Sequence, residues 1–307
     1  MTGLGGSFHV EITWGLLIVI YLFTAGISAG AMVTSNLALL YGGQDYERVG
    51  RWGAFISPFP ISFGLGVLLL DLGSPFNFYR LFMTLQVRSP MSYGSWAILL
   101  FSLLSVIYLY LWLPEKFRIF GQKKSLEKWK KGLAKGMPFL SVGVASYTGL
   151  LLNAAVRPLW TVPLLPVLFL VSALSTGVAS VIFFAALSPW QRARHKELHV
   201  LTKADALLII LECFILLIMI VMGRLSSASV SNAFGSLLYG EFAVIFWVMS
   251  VGLGLFVPFS LEYLELKDKI PVRWTLPVTI SSSFLVLFGG FFVRYIITYA
   301  GQWSSWF

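Results

Sequence analysis

The sequence predicts an all-α integral membrane protein with eight transmembrane helices and with both termini on the periplasmic side. Eight apolar stretches run through a chain of 307 residues, of which 58% are hydrophobic. Each stretch reaches, or nearly reaches, the ~20 residues with which a helix crosses ~30 Å of hydrocarbon. No ~10-residue segments alternate apolar and polar residues, as the strands of a membrane barrel do. Because an unpaired backbone group in lipid costs several kcal/mol, helices are the remaining solution.

The distribution of lysine and arginine orients these helices. The predicted spans cover residues 12–41, 55–72, 96–113, 137–156, 162–187, 204–222, 242–264 and 276–300. Of the 22 basic residues, 17 fall in the first, third, fifth and seventh connections, as 2, 8, 4 and 3. The other five are assigned to the opposite side: Arg80, Arg88, Arg157, Arg224 and Arg294. Short basic connections stay in the cytoplasm, so the termini are predicted on the outer side.

The cluster of eight basic residues at 116–135 raises a second possibility, nucleic-acid binding. Beside a membrane helix, however, such clusters more often set the orientation of the protein and contact lipid headgroups. We therefore expect a lipid membrane, and no nucleic acid, as the partner of this segment.

The few cysteines and histidines limit the redox chemistry of the chain. The single cysteine, Cys213, lies in the sixth predicted span, so the chain holds neither an iron–sulfur cluster nor an internal disulfide. His9 precedes the first span, and His195 and His199 lie in the fifth connection, so no imidazoles face each other in the bilayer to hold a haem. The i, i+4 spacing of His195 and His199 would also suit a metal, although a solvated basic face is the more ordinary interpretation. We expect no haem, cluster or metal in this chain.

A weak repeat relates the two halves of the sequence. Residues 26–31 (GISAGA) resemble residues 173–178 (ALSTGV), 147 positions further on. Both segments lie in spans that run in the same direction, so the repeat predicts two parallel four-helix bundles, at residues 1–156 and 157–307. Small residues at this spacing also let two helices approach closely without any repeat.

Four carboxyl groups are predicted at membrane depth. Asp71 ends the second span, Asp205 and Glu212 share one face of the sixth, and Glu262 lies near the inner end of the seventh. A charge at the bilayer centre costs ~2.5 to 3.5 kcal/mol, so such groups need a partner, water or a neutral form. We predict that Asp205, Glu212 and Glu262 form a proton path from the cytoplasm. A structural pairing with arginine or serine neighbours is the alternative.

Several motifs resemble those of one family. They are residues 21–31 (YLFTAGISAGA), 70–75 (LDLGSP), 89–96 (SPMSYGSW), 147–151 (YTGLL), 165–169 (LPVLF) and 299–302 (YAGQ). In this order, over all eight spans, they resemble the family of membrane anchors that includes NrfD and PsrC, the membrane protein of polysulfide reductase. The resemblance implies a quinone-reactive subunit that docks a ferredoxin-like iron–sulfur protein on the outer face. That partner would in turn serve a molybdopterin enzyme or a multihaem cytochrome.

The outer half of the protein carries the groups that quinone chemistry requires. These are hydrogen-bond donors for the carbonyl oxygens, a group that exchanges protons, and an apolar slot for the ring and tail. The candidates are His9, Glu11, Tyr21, Asp71, Ser92 and Tyr147.

The resemblance separates some of these candidates. It implies that Tyr147 contacts quinone, whereas Tyr21 stands where the polysulfide branch has a histidine. Tyr147 could instead be a packing tyrosine with a satisfied hydroxyl, and His9 an interfacial residue. Asp71 is predicted to be protonatable, with helix capping and pairing to Arg80 as the alternative. Ser92 lies in residues 89–96, which we expect to shape the loop that receives the iron–sulfur partner.

The predicted function is that of a membrane subunit of a respiratory oxidoreductase in the inner membrane. The resemblance favours oxidation of menaquinol to feed a periplasmic reductase of the polysulfide, thiosulfate or nitrite type. Two other classes remain open. One is a secondary transporter, which eight spans, repeated halves and 28 glycines would also suit. The other is a passive anchor with no quinone chemistry.

Overall fold

The computed structural model describes residues 14–71, 83, 90–114, 123–188 and 195–303. All regular structure in these residues is helical. Eight of the helices are long and apolar enough to cross a membrane, so the predicted fold class is confirmed. His9, Glu11, Arg80 and Arg88 lie outside the described residues.

The eight spans are numbered in sequence order. Span 1 is Leu16–Tyr41, span 2 is Glu47–Ile56 followed by Pro58–Asp71, span 3 is Pro90–Trp112 and span 4 is Lys123–Ala154. Span 5 is Leu165–Leu187, span 6 is His195–Arg224 and span 8 is Val272–Trp303. Span 7 is a π-helix at Ile245–Phe256 followed by an α-helix at Val257–Leu266. Short 3-10 helices, Gly43–Tyr46 and Pro158–Thr161, lie in the connections between spans 1 and 2 and between spans 4 and 5.

Several helices are longer than the apolar stretches that predicted them. Span 4 begins at Lys123 rather than at residue 137, and span 2 begins at Glu47 rather than at residue 55. Helical structure continues through these charged ends because only the central part of a spanning helix must be apolar. One helix, Ala228–Tyr239 between spans 6 and 7, was not predicted at all.

The two ends of the bundle differ in charge. The termini face carries the first and last described residues, 14 and 303, and the basic face carries the connections after spans 1, 3, 5 and 7. Arg157 and Arg224 lie at the termini face, as predicted. Arg294 does not, because it lies inside span 8 and is fully buried. The assignment of the termini face to the periplasm stays a prediction.

Spans 1 and 5 form the centre of the bundle. Span 1 packs against spans 2, 4 and 5, and span 5 packs against spans 1, 4, 6 and 8. Spans 2, 3 and 4 complete one ring of neighbours with span 1, and spans 6, 7 and 8 complete another with span 5. The division into two units at residue 156 stays a prediction.

The small residues of the two similar segments meet where spans 1 and 5 cross. A Cβ added to Gly30 would lie 2.0 Å from the Ala173 carbonyl oxygen, and one added to Gly177 would lie 2.2 Å from the Gly30 carbonyl carbon. Gly30 and Gly177 are also 147 residues apart, so positions that the repeat makes equivalent contact each other. Only glycine allows this approach of two backbones.

Two hydrogen bonds between Gln302 and Trp14 hold the start of span 1 at the termini face. The Gln302 side chain accepts a hydrogen bond from the Trp14 backbone N–H at 2.8 Å and donates one to the Trp14 carbonyl at 3.0 Å. The Trp14 ring packs against Trp160, whose indole N–H donates to the Ile297 carbonyl at 2.8 Å. Span 8 thereby sets the register of span 1 and of the residues that follow Trp14.

Candidate functional site

Two tyrosines lie within electrostatic range of each other in the half of the bundle nearest the termini face. Tyr21 lies five residues into span 1, and Tyr147 lies seven residues before the end of span 4. At 1.5 Å per residue, both lie about 8 to 10 Å below the helix ends. Tyr21 is 2% exposed and its phenol interacts electrostatically with that of Tyr147. Two residues proposed from sequence for one site are therefore brought together.

Span 3 supplies the surface on which Tyr147 rests. A Cβ added to Gly94 would lie 1.6 Å from Cζ of the Tyr147 ring, so the ring contacts the Gly94 backbone directly. Ser92, two residues earlier, is buried in the same helix, and its carbonyl accepts a hydrogen bond from the Ser95 hydroxyl. The sequence placed Ser92 ahead of span 3, but the helix begins at Pro90, so Ser92 lies within the first turn of span 3.

The other predicted quinone-site residues are not brought to this pair in the described part of the protein. Asp71 is the last residue of span 2 and is exposed at the termini face. Its predicted pairing with Arg80 falls outside the described residues, as do His9 and Glu11. Their roles stay predictions.

The second cluster is a series of buried carboxyl groups in the last four spans, which we call the carboxyl series. Near the basic face, Thr279 of span 8 donates a hydrogen bond to Glu265 of span 7 at 2.9 Å. One turn further into the membrane, Ser282 donates to Glu262, also at 2.9 Å. Glu262 and Glu265 are buried although each is a carboxylic acid in an apolar bundle. A hydroxyl from the neighbouring helix partners each group, as the cost of burial requires.

Span 6 continues the carboxyl series towards the middle of the bundle. Asp205 is fully buried, accepts a hydrogen bond from Ser175 of span 5 at 2.7 Å, and interacts directly with Glu262. Glu212, two turns along the same helix, is 3% exposed and interacts with the Ser172 hydroxyl of span 5. The predicted shared face of Asp205 and Glu212 is thus turned inward. Glu265 was missed from sequence because it lies near the end of its span, where acids are common.

Arg294 lies at the inner end of the carboxyl series. It is fully buried in span 8, donates to the Gly290 carbonyl at 2.8 Å and to the Ser172 hydroxyl at 3.2 Å, and interacts electrostatically with Glu212. Its guanidinium reaches Gly26 of span 1, where a Cβ would lie 2.5 Å from Nη2. Glu212 is the carboxyl group that interacts electrostatically with this buried arginine, although no ion pair within 4 Å joins the two side chains in the described structure.

Sequence reasoning missed Arg294 because it counted every arginine as a residue of a connection. One signal could have found it. An arginine within an apolar stretch faces the bundle interior and marks a functional site or a partner charge.

The tyrosine pair and the carboxyl series lie on different sides of span 1. Gly26, which contacts Arg294, follows Tyr21 by five residues, and five residues turn a helix by about 140°. Span 1 therefore separates the two clusters, so any proton exchange between them must pass around this helix.

Two further features do not contribute to a redox site. Within the described ranges, no three His, Cys, Asp or Glu side chains gather as a metal site would require. An apolar cavity lies between Leu216 and Met219 of span 6, Phe246 of span 7 and Val293 of span 8. The side chains that line this cavity are all hydrocarbon or thioether groups, so it does not suit a quinone headgroup, which needs donors for its carbonyl oxygens.

Comparison with known proteins places this architecture in a family. Residues 7–304 match the family described as "Polysulphide reductase, NrfD". The chain belongs to this family. It is therefore a multi-pass membrane protein of the NrfD type, as the motifs predicted.

Individual relatives span almost the whole sequence. A polysulfide reductase chain of Wolinella succinogenes is 29% identical over 95% of both proteins. Protein NrfD of Escherichia coli is 30% identical over 96% of this chain and 97% of its own. A selenate reductase subunit of Mesobacillus selenatarsenatis is 29% identical over 81% of this chain and 66% of its own.

A solved structure shares the fold. The bd oxidase from Geobacillus thermodenitrificans superposes with a TM-score of 0.63 at 14% identity, over 95% of this chain and 85% of the oxidase chain. At this identity the likeness concerns the arrangement of helices only.

Proposed function

We propose that this protein is the membrane subunit through which a respiratory reductase complex takes electrons from quinol, and that quinol binds beside Tyr21 and Tyr147. The observation that carries the proposal is that Tyr21 and Tyr147 lie at similar depth near one end of the first four spans and interact electrostatically, with the Tyr147 ring against the Gly94 backbone. The names of three relatives, which are subunits of polysulfide, selenate and dimethyl sulfoxide reductases, support the reductase part.

The chemistry of the tyrosine pair suits a quinone headgroup. A phenol donates a hydrogen bond to a carbonyl oxygen, accepts one from a quinol hydroxyl, and passes a proton in either direction. Tyr147 is the candidate for direct contact, with Tyr21 in electrostatic range of it, and Ser92 is proposed to contribute from the first turn of span 3. The walls around these groups are apolar, as a site that buries an aromatic ring requires. Oxidation of quinol releases electrons and protons together, so the site needs an outlet for each.

Electrons would leave at the termini face, which is periplasmic in this proposal. The tyrosine pair lies about 8 to 10 Å below that end of the helices, within tunnelling reach of a cofactor held by a docked subunit. We propose that this subunit is a periplasmic, ferredoxin-like iron–sulfur protein, which passes electrons to a molybdopterin subunit or a multihaem cytochrome. His9 and Asp71 are proposed to accept the released protons at the same face.

The carboxyl series is proposed to move protons from the other side. Glu262, Asp205 and Glu212 follow one another from the basic face to Arg294, and neighbouring groups interact. In this relay a proton enters at Glu262, passes through Asp205 and ends on Glu212, whose carboxylate it neutralises. Placing the protein in the inner membrane puts the basic face in the cytoplasm.

Purification of the complex through a tag on this protein tests the central proposal. We expect an iron–sulfur subunit to copurify and its clusters to be reduced by a menaquinol analogue, as followed by electron paramagnetic resonance. Copurification without quinol-dependent reduction would indicate a passive anchor. Isolation of the protein with no redox partner would favour a transporter.

Proton movement has a separate test. In vesicles that contain the complex, Glu212→Gln is expected to abolish proton uptake from the basic side. Glu127→Gln removes an exposed carboxyl of span 4 and is the matched control. Unchanged proton uptake in an active Glu212→Gln complex would refute the path.

A further inference from the structure

The basic end of span 4 carries an exposed row of lysines. Lys128, Lys131 and Lys135 are all exposed, and their spacing of three and four residues places them on one side of the helix. The same side continues through Phe139, which is 81% exposed, and Val142, which is 38% exposed. In a membrane-spanning helix these apolar residues face lipid. The lysines therefore lie directly above lipid, where phospholipid headgroups lie.

A strip of bare backbone runs beside the lysines. At Gly132, Gly136 and Gly143, an added Cβ would meet no described atom within 4 Å, so this surface is open. Trp129, beside the strip, is 65% exposed at the level where interfacial tryptophans lie. The surface thus combines exposed lysines with an open strip of glycine backbone against which an acyl chain can lie.

The charges of this row are not neutralised within the described protein. No described residue forms an ion pair with Lys128, Lys131 or Lys135, and the first turn of the helix holds no acid. The exposed Glu127 lies one turn before Lys131 but forms no ion pair with the row, so the row keeps a net positive charge. Lys130 differs from the row, because its ammonium lies 3.5 Å from the centre of the Trp112 ring at the end of span 3. Lys130 joins two helices, whereas the outward row can bind an external anion.

We propose that Lys128, Lys131 and Lys135 form a binding site for an anionic phospholipid of the leaflet at the basic face, with an acyl chain along the glycine strip. Three ammonium groups match a phosphate, and the apolar continuation of the row selects a lipid over a soluble anion. The proposal is independent of quinone chemistry and of the carboxyl series.

Native mass spectrometry of the delipidated complex, titrated with phosphatidylglycerol or phosphatidylcholine, tests the site. We expect selective binding of phosphatidylglycerol and a loss on the order of 100-fold in affinity when all three lysines become glutamine, since each contributes about fivefold. The control replaces Lys267, Lys269 and Arg273, which are exposed on the same face, by glutamine. This control removes equal charge and should leave binding intact.

Three results would overturn the proposal. They are equal binding of the two lipids, equal loss in both triple variants, and displacement of the lipid by millimolar inorganic phosphate, which would indicate a soluble-anion site. All three lysines are exposed, so the variant is expected to assemble normally.

Discussion

The first and last four spans share a packing plan but differ in their buried chemistry. In the described residues of spans 1 to 4, the buried polar side chains are hydroxyls and one amide, and no carboxyl is buried. Spans 5 to 8 bury Glu197, Asp205, Glu212, Glu262, Glu265 and Arg294. At the predicted repeat offset of 147 residues, Tyr147 of the first half corresponds to Arg294 of the second, and Ser28 corresponds to Ser175. One helical framework thus supports a neutral, aromatic cluster in one half and an ionic series in the other.

Removal of Arg294 should have the largest effect on stability. Arg294→Met removes the hydrogen bonds to Gly290 and Ser172 and the positive charge that acts on Glu212, at an expected cost of about 3 to 5 kcal/mol. The thermal stability of the purified complex should fall accordingly. Adding Glu212→Gln removes the carboxylate whose charge Arg294 no longer balances. The double variant should therefore recover much of the lost thermal stability. A double variant as unstable as Arg294→Met would show that the two groups do not act as a pair.

Removal of the Tyr147 hydroxyl should lower quinol turnover without affecting assembly of the complex. If the phenol exchanges a proton with quinol, Tyr147→Phe should lower quinol turnover about 100-fold. Copurification of partner subunits should stay unchanged because the ring still packs against Gly94. Tyr295→Phe in span 8 removes a hydroxyl from the other half and should leave turnover as in the wild type. Normal turnover in Tyr147→Phe would count against the role of this residue.

A methyl group at Gly94 should displace the Tyr147 ring. Gly94→Ala forces a shift in the tyrosine or in span 3, with an expected cost of about 1 to 3 kcal/mol. Displacement of the Tyr147 ring should also lower quinol turnover. Gly136→Ala places the same methyl group in open space in span 4 and should be neutral or slightly stabilising. Equal behaviour of the two variants, in a melting curve and a turnover assay, would contradict the contact between Gly94 and Tyr147.

Two serines at the predicted repeat offset, Ser28 and Ser175, offer the most direct comparison of the halves. Ser175 donates to the Asp205 carboxyl, so Ser175→Ala should cost about 1.5 to 3 kcal/mol. The Ser28 hydroxyl is buried without a hydrogen-bond partner among the described residues, so Ser28→Ala should be close to neutral. Equal losses of thermal stability in both variants would remove the distinction between the two halves.

The sequence predicted the features that depend on composition along a single helix. Eight apolar stretches identify eight spans, and the spacing of Asp205 and Glu212 predicts their common face. Contacts between spans do not follow from such patterns. The pairing of Asp205 with Glu262 joins two helices, and the position of Arg294 within an apolar stretch does not reveal that its partners are Ser172 and Glu212. The helical start at Pro90, which moved Ser92 into span 3, was missed because polar and small residues open that helix.

Photolabelling of the intact complex with an azido-quinone analogue tests the central proposal most directly. Binding beside Tyr21 and Tyr147 predicts labelled peptides from spans 1, 3 and 4, and loss of the label when unmodified quinol is added in excess. Labelling confined to spans 5 to 8, or labelling that excess quinol does not reduce, would contradict a quinol site at the tyrosine pair.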